Sequence, residues 1–236
     1  MNFWNTEHPE QQAAVVDAQS GQRWTYGELH KDVEAAMAVT QRAGKKSLQL
    51  LLAQNRYECL VAYLAALRAG DALLLVDATL NRHLLLELVT AYRPDVILAA
   101  AAEVEIPSYR KVSNQPLSIW QSEYTDDRLR IHESLALLLT TSGSTGSPKL
   151  VRLSLNNLQS NAESIATYLE LTRAEKPVTS LPMAYSYGLS VINSHLLAGA
   201  CLVLTDHGIV RREFWDTIDR HECTSLSGVP VPWALT

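Results

Sequence analysis

Aromatics and cysteines are sparse in this chain, and one-signed charge is nearly absent. There are two phenylalanines, five tryptophans and three cysteines in 236 residues, with a formal charge of −5. The cysteines, Cys59, Cys201 and Cys223, are odd in number and far apart. They exclude a disulfide framework and read as free thiols in a reducing compartment, which points to the cytoplasm. The scattered Lys and Arg leave no basic footprint for nucleic acid. No apolar run approaches the roughly 18 residues of a membrane span. Neither a basic leader nor an apolar h-region opens the sequence, so a secretory signal is not expected. The seven histidines include no pair at metal-ligand spacing, and His221 with Cys223 alone makes no zinc site. The tryptophans are too dispersed for a stacking platform and read as packing residues.

What is present is an apolar content of 47%, ample for a large core, arranged in a strand–helix rhythm. Residues 14–18 and 23–25 flank a turn. Thr25 stands three residues before Glu28 at capping-box spacing, opening a helix with Leu29, Val33 and Met37 on one face and Gly44 at its end. Residues 48–53 form an apolar run expected of a strand buried on both faces. A helix over 57–69 closed by Gly70, a strand over 72–76, a helix capped by Asn81 and stopped by Pro94, and a strand over 96–100 follow. The fold class expected is α/β, doubly wound, with a mainly parallel sheet or sheets and helices on both faces. Residues 103–133 read as a connector carrying a short strand or two. A buried strand over 135–140 and a return strand over 150–153 come next, then a helix capped by Asn156 with Gln159 and running to about Leu171.

Between those two strands lies Thr141-Ser142-Gly143-Ser144-Thr145-Gly146-Ser147-Pro148-Lys149. Gly143 and Gly146 can let consecutive N–H groups converge on an anion. The hydroxyls suit phosphate oxygens, and Lys149 adds a mobile charge. The spacing is not that of a Walker loop, the third glycine of a dinucleotide fingerprint is missing, and no nucleophile elbow occurs.

This loop resembles the signature of the adenylate-forming, or AMP-binding, superfamily, which includes acyl- and aryl-CoA synthetases, luciferases and nonribosomal peptide adenylation domains. Further elements resemble that family in order: residues 24–29, 67–70 with Val76 and Asp77, residues 181–189, Gly199-Ala200, and Gly228-Val229-Pro230. The resemblance implies an ATP-dependent reaction. A carboxylate attacks the α-phosphate of ATP to give an acyl-adenylate and pyrophosphate, and a thiol of CoA or of an acyl or peptidyl carrier protein then takes the acyl group. It implies phosphate binding by Thr141, Ser142, Gly143, Ser144, Thr145, Gly146 and Lys149, with Thr141 beside Mg²⁺. It also implies an acyl pocket lined by Tyr185 and Gly188.

Three departures stand out. Leu150 and Leu155 occupy positions where the family usually has Gly and His, which implies altered loop mobility rather than lost phosphate contact. Tyr185 replaces a pocket His. The family's adenine-binding segment, ribose-binding Asp and catalytic Lys come later than residue 236. The chain is therefore expected to be the amino-terminal part of a longer enzyme, inactive alone, with no catalytic residue of its own. About 1–133 would form a first α/β region and connector, and about 134–236 a phosphate-loop region. The alternative is a noncatalytic adenylation-like module for nucleotide binding, interaction or assembly.

Overall fold

The computed structural model describes residues 1–40, 45–100, 106–114, 116–124, 130–140 and 150–230. The chain opens with a 3₁₀ turn, Phe3–Asn5, then a hairpin of β1 (Ala13–Asp17) and β2 (Arg23–Thr25). The Asp17 carboxylate holds the turn by accepting from the Ser20 N–H at 2.7 Å and its hydroxyl at 2.8 Å. Helix α1 (Tyr26–Thr40) starts as its capping box requires: the Thr25 hydroxyl accepts from the Glu28 N–H at 3.2 Å, and the Glu28 carboxylate accepts from the Thr25 N–H at 2.7 Å. Gly44, its expected end, lies outside the described residues.

Next come β3 (Leu48–Ala53), α2 (Tyr57–Arg68), β4 (Ala72–Asp77), α3 (Arg82–Tyr92) and β5 (Val96–Ala99). Gly70 adopts φ +74°, the left-handed turn that ends α2, and the Asn81 side chain caps α3 by accepting from the His83 N–H at 2.7 Å. The connector supplies β6 (Tyr109–Ser113) and β7 (Ser118–Ser122). After β8 (Leu137–Thr140) and β9 (Leu150–Leu153) come α4 (Leu155–Tyr168), β10 (Pro177–Val178), α5 (Ser186–Ala198), β11 (Leu202–Leu204), α6 (Arg212–His221) and β12 (Ser225–Leu226). No helix among the described residues is long and apolar enough to cross a membrane.

One expectation is corrected here. Helix α4 is capped by Ser154, whose hydroxyl accepts from the Asn157 N–H at 3.1 Å while Asn157 reaches back to the Ser154 N–H at 3.0 Å. Asn156 is inside the helix. Gln159 instead makes tertiary bonds, accepting from the Phe3 N–H at 3.2 Å and donating to the Met1 carbonyl at 3.1 Å.

The strands form two sheets. One has seven strands in the order β6-β7-β5-β3-β4-β8-β9, parallel through β5-β3-β4-β8 and antiparallel at both flanks. The other has the order β12-β10-β11-β1-β2, parallel except for β2. Each sheet draws strands from both sides of residue 133.

Side-chain alternation assigns the layers. Leu51, Leu75 and Leu139 face the second sheet across α1, α2, α4 and α5, in one cluster with Val15, Leu202 and Leu204. Their neighbours Leu50, Leu74 and Leu138 turn to the outer helix α3, against Leu85, Leu88 and Val89. On the far face of the five-stranded sheet, Val16, Val178 and Val203 pack on Phe214 of α6. Helices thus cover both faces of both sheets, which is why every residue of 48–53 but Gln49 is apolar. The amino ends of the central strands are tied by Asp71, a buried carboxylate that accepts from the Ser47 N–H and the Gln49 side chain, both at 2.8 Å.

Candidate active site

The parallel strands β5, β3, β4 and β8 end on one edge, which is where open α/β sheets bind ligands. The expected phosphate-loop residues Thr141, Ser142, Gly143, Ser144, Thr145, Gly146 and Lys149, with the Mg²⁺ assignment to Thr141, lie outside the described residues. Their anchor points are described. Thr140 ends β8 and pairs with Leu150, the first residue of β9, in an antiparallel hairpin. The run therefore leaves from and returns to the carboxyl edge, beside the end of β4 at Val76 and Asp77. Leu150 and Leu155, the two departures from the family pattern, are half-buried: Leu150 packs on the α3 side of the sheet and Leu155 on the inter-sheet core.

The second expected segment reaches the same edge through Asn55, which the sequence reading missed. Asn55 sits between β3 and α2 and is buried. Its side-chain nitrogen donates to the carbonyls of Leu181 and Thr205, both at 3.1 Å, and its side-chain oxygen accepts from the Met183 N–H at 2.9 Å. Its own N–H donates to Asp206 Oδ1 at 3.1 Å, and Asp206 Oδ2 accepts from Arg56 Nε at 3.2 Å. Residues 181–183 are thereby fixed to the end of β3. In the sheet order β3 itself is two strand spacings, about 10 Å, from β8.

Tyr185 and Gly188 follow at the start of α5. Tyr185 is the residue before the helix and makes no side-chain cap bond; it is 47% exposed and Tyr187 41% exposed, so neither is a core aromatic. Gly188 has a steric reason to be glycine. A Cβ there would lie 2.4 Å from the Pro182 carbonyl oxygen and 2.9 Å from that of Leu181. The first turn of α5 thus packs directly on the backbone that Asn55 holds.

Other motif residues tie the five-stranded sheet together. The Tyr26 hydroxyl, inaccessible to solvent, donates to the Ala200 carbonyl at 2.8 Å. Gly199 ends α5 at φ +77°, and a Cβ there would meet the His8 ring at 2.9 Å. A groove of about 460 Å³ lined by His8, Glu10, Tyr26 and Glu28 lies at the amino edge of that sheet, away from the carboxyl ends. Cys59, Cys201 and Cys223 are free thiols. Burial pushes Cys59 and Cys223 each up to about 11 and raises Cys201, which makes poor nucleophiles of all three. Among the described residues no group of three His, Cys, Asp or Glu side chains is placed to hold a metal ion.

Known proteins resemble this arrangement. The family model described as AMP-binding enzyme matches residues 2–235. The D-alanine–D-alanyl carrier protein ligase of Streptococcus pneumoniae (strain 70585) is 29% identical over 182 residues, covering 73% of this chain and 34% of that protein. The chain thus spans about a third of the length of the curated relatives it matches first. The o-succinylbenzoate CoA synthetase (MenE) of Bacillus subtilis, solved with an acyl-adenylate intermediate, superposes with a TM-score of 0.78 at 22% identity, covering 99% of this chain and 63% of that one. Its complex with ATP and magnesium superposes with a TM-score of 0.77 at 22% identity, covering 99% and 64%.

Proposed function

Given that the chain belongs to the AMP-binding enzyme family, we propose that it carries the phosphate-binding part of an ATP-dependent acid–thiol ligase. In this reading a carboxylic acid is activated as its acyl-adenylate and passed to a thiol of CoA or a carrier protein. The observation that carries it is positional. A run rich in hydroxyls and glycine, ending in Lys149, spans two hydrogen-bonded strands at the carboxyl edge, and residues 181–188 are bound to that same edge.

The donor set fits a polyphosphate. Backbone N–H groups near Gly143 and Gly146, the hydroxyls of Thr141, Ser142, Ser144 and Thr145, and the Lys149 ammonium are all donors or cations. Mg²⁺ would be held chiefly by phosphate oxygens and water, with Thr141 beside it, and would neutralise charge on the leaving pyrophosphate. The chain's own contribution is to bind and orient. Tyr185 and Gly188 would wall the acyl channel, Tyr185 with an apolar ring and a polar tip. The free thiols fit a reducing compartment such as the cytoplasm.

A second reading keeps the fold and nucleotide binding without catalysis. The packing of Leu150 and Leu155 into the two cores favours it. ATP–pyrophosphate exchange by the full-length protein with a panel of carboxylic acids separates the two. Acid-dependent exchange supports the ligase, whereas MgATP binding by a folded protein with no exchange for any acid supports the module. In calorimetry, Lys149→Ala is expected to weaken MgATP binding about tenfold or more; equal affinity would remove Lys149 from the phosphate site.

A further inference from the structure

The buried Asn55 side chain uses both amide donors and its oxygen. Both of its donated bonds go to carbonyls and its oxygen receives an N–H, so the partners dictate which way the amide is turned. Three chain segments meet on this one side chain: the β3–α2 turn and, more than a hundred residues further on, residues 181–183 and the turn after β11 at Thr205. The Thr205 carbonyl has a second donor in the Thr179 hydroxyl at 3.2 Å. Leu181 and Met183 are the partners that depend on Asn55.

Their position gives this dependence a consequence. The Tyr185 N–H donates to the Pro182 carbonyl at 3.0 Å, and Gly188 rests against that same carbonyl. A shift of residues 181–183 therefore moves the start of α5 and both exposed tyrosines with it. Among the described residues nothing comparable links Asn55 to β8, which is separated from it by β4.

We propose that Asn55 is a positioning residue that holds residues 181–188 at the carboxyl edge and thereby sets affinity for the acid, while nucleotide affinity is set independently. This rests on the reading of that segment as the acyl pocket. The first test is pyrophosphate exchange by the full-length protein, wild type and Asn55→Ala, varying acid and ATP separately. The acid KM is expected to rise about tenfold, with the ATP KM unchanged within about twofold. Equal rises in both KM values, or a lower kcat with neither moved, would overturn the proposal.

The second test is amide hydrogen exchange. The peptide spanning 181–189 should exchange at least about tenfold faster in Asn55→Ala, while residues 48–53 keep their protection. Unchanged exchange at 181–189 overturns the proposal without any activity being needed. Asp71→Asn is the control for stability alone, since Asp71 is equally buried but ties the opposite ends of the strands. It should lower the unfolding temperature and leave the acid KM unchanged. A wild-type protein inactive with every acid would sink the activation reading, and the amide-exchange comparison would still decide whether Asn55 positions the segment.

Discussion

Trp24 lies flat on Tyr57, with ring centroids 3.8 Å apart and planes within 6° of parallel. Trp24 belongs to the last strand of the smaller sheet, and Tyr57 begins the helix that follows β3 of the larger one. The Tyr57 hydroxyl donates to Asp32 on α1 at 2.8 Å, and burial followed by that bond raises its pKa well above the usual phenol value. The pair clamps the two sheets across the helical layer. Trp24→Ala is expected to cost about 2 kcal/mol, and Trp24→Phe about half as much, in urea unfolding at neutral pH. Equal losses for the two would mean that stacking area is not what the indole contributes.

Gly188→Ala should destabilise by about 2 kcal/mol or more, because its methyl group would overlap backbone that cannot move without breaking the Asn55 bonds. Gly208→Ala, where no atom lies within 4 Å of the added carbon, should be neutral within about 0.5 kcal/mol. Thermal unfolding of both variants side by side checks the contrast.

Acid should weaken the fold before the carboxylates titrate. His195 is buried on α5, its Nδ1 donating to the Val191 carbonyl at 2.8 Å and its Nε2 facing the Ser225 hydroxyl at 3.5 Å, with Glu175 nearby. Burial, opposed by Val191 and Glu175, lowers its pKa below the ordinary 6.5. The unfolded chain therefore binds the proton more readily, so stability is full above pH 6.5 and falls as pH drops from there towards the lower folded value. The slope is at most about 1.4 kcal/mol per pH unit for one such group. Burial lowers His221 too, adding loss of the same sign. Urea midpoints between pH 7.5 and about 5 should show the slope, and His195→Gln should flatten it. An unchanged slope in that variant would assign the loss elsewhere.

Ser154→Ala should cost about 1 kcal/mol, since the capping box centres on that hydroxyl, while Asn156→Ala should cost little. Chemical denaturation of the two variants distinguishes the cap observed from the one the sequence suggests.

That misplaced cap illustrates what was legible in the sequence. Local chemistry could be read directly: the Thr25–Glu28 box, the Asn81 cap and the turn at Gly70 all involve residues a few positions apart. Three amide side chains within four residues, at 156, 157 and 159, offered competing caps, and only packing separates them. Gln159 is drawn away by Met1 and Phe3, more than 150 residues distant. The division into two sheets was hidden for a similar reason, because β1 finds its parallel partner in β11. At the site, the loop was visible as composition, whereas Asn55 looked like an ordinary residue before a helix. Its role comes from partners at 181, 183, 205 and 206 that no spacing rule reaches.

The β8–β9 hairpin also counts residues. With Leu137 opposite Leu153 and Thr140 opposite Leu150, nine positions, 141–149, separate the strands. Leu150 serves the outer core and Leu153 the inner one. If β9 slid to absorb one inserted loop residue, Arg152 would take the place of Leu153; one deletion would bring Ser154 there, and either slip would exchange the faces of the strand. Loop length is thus dictated by leucines behind the sheet as much as by any ligand in front of it. Variation in this segment is expected as substitutions, seldom as gains or losses of a single residue.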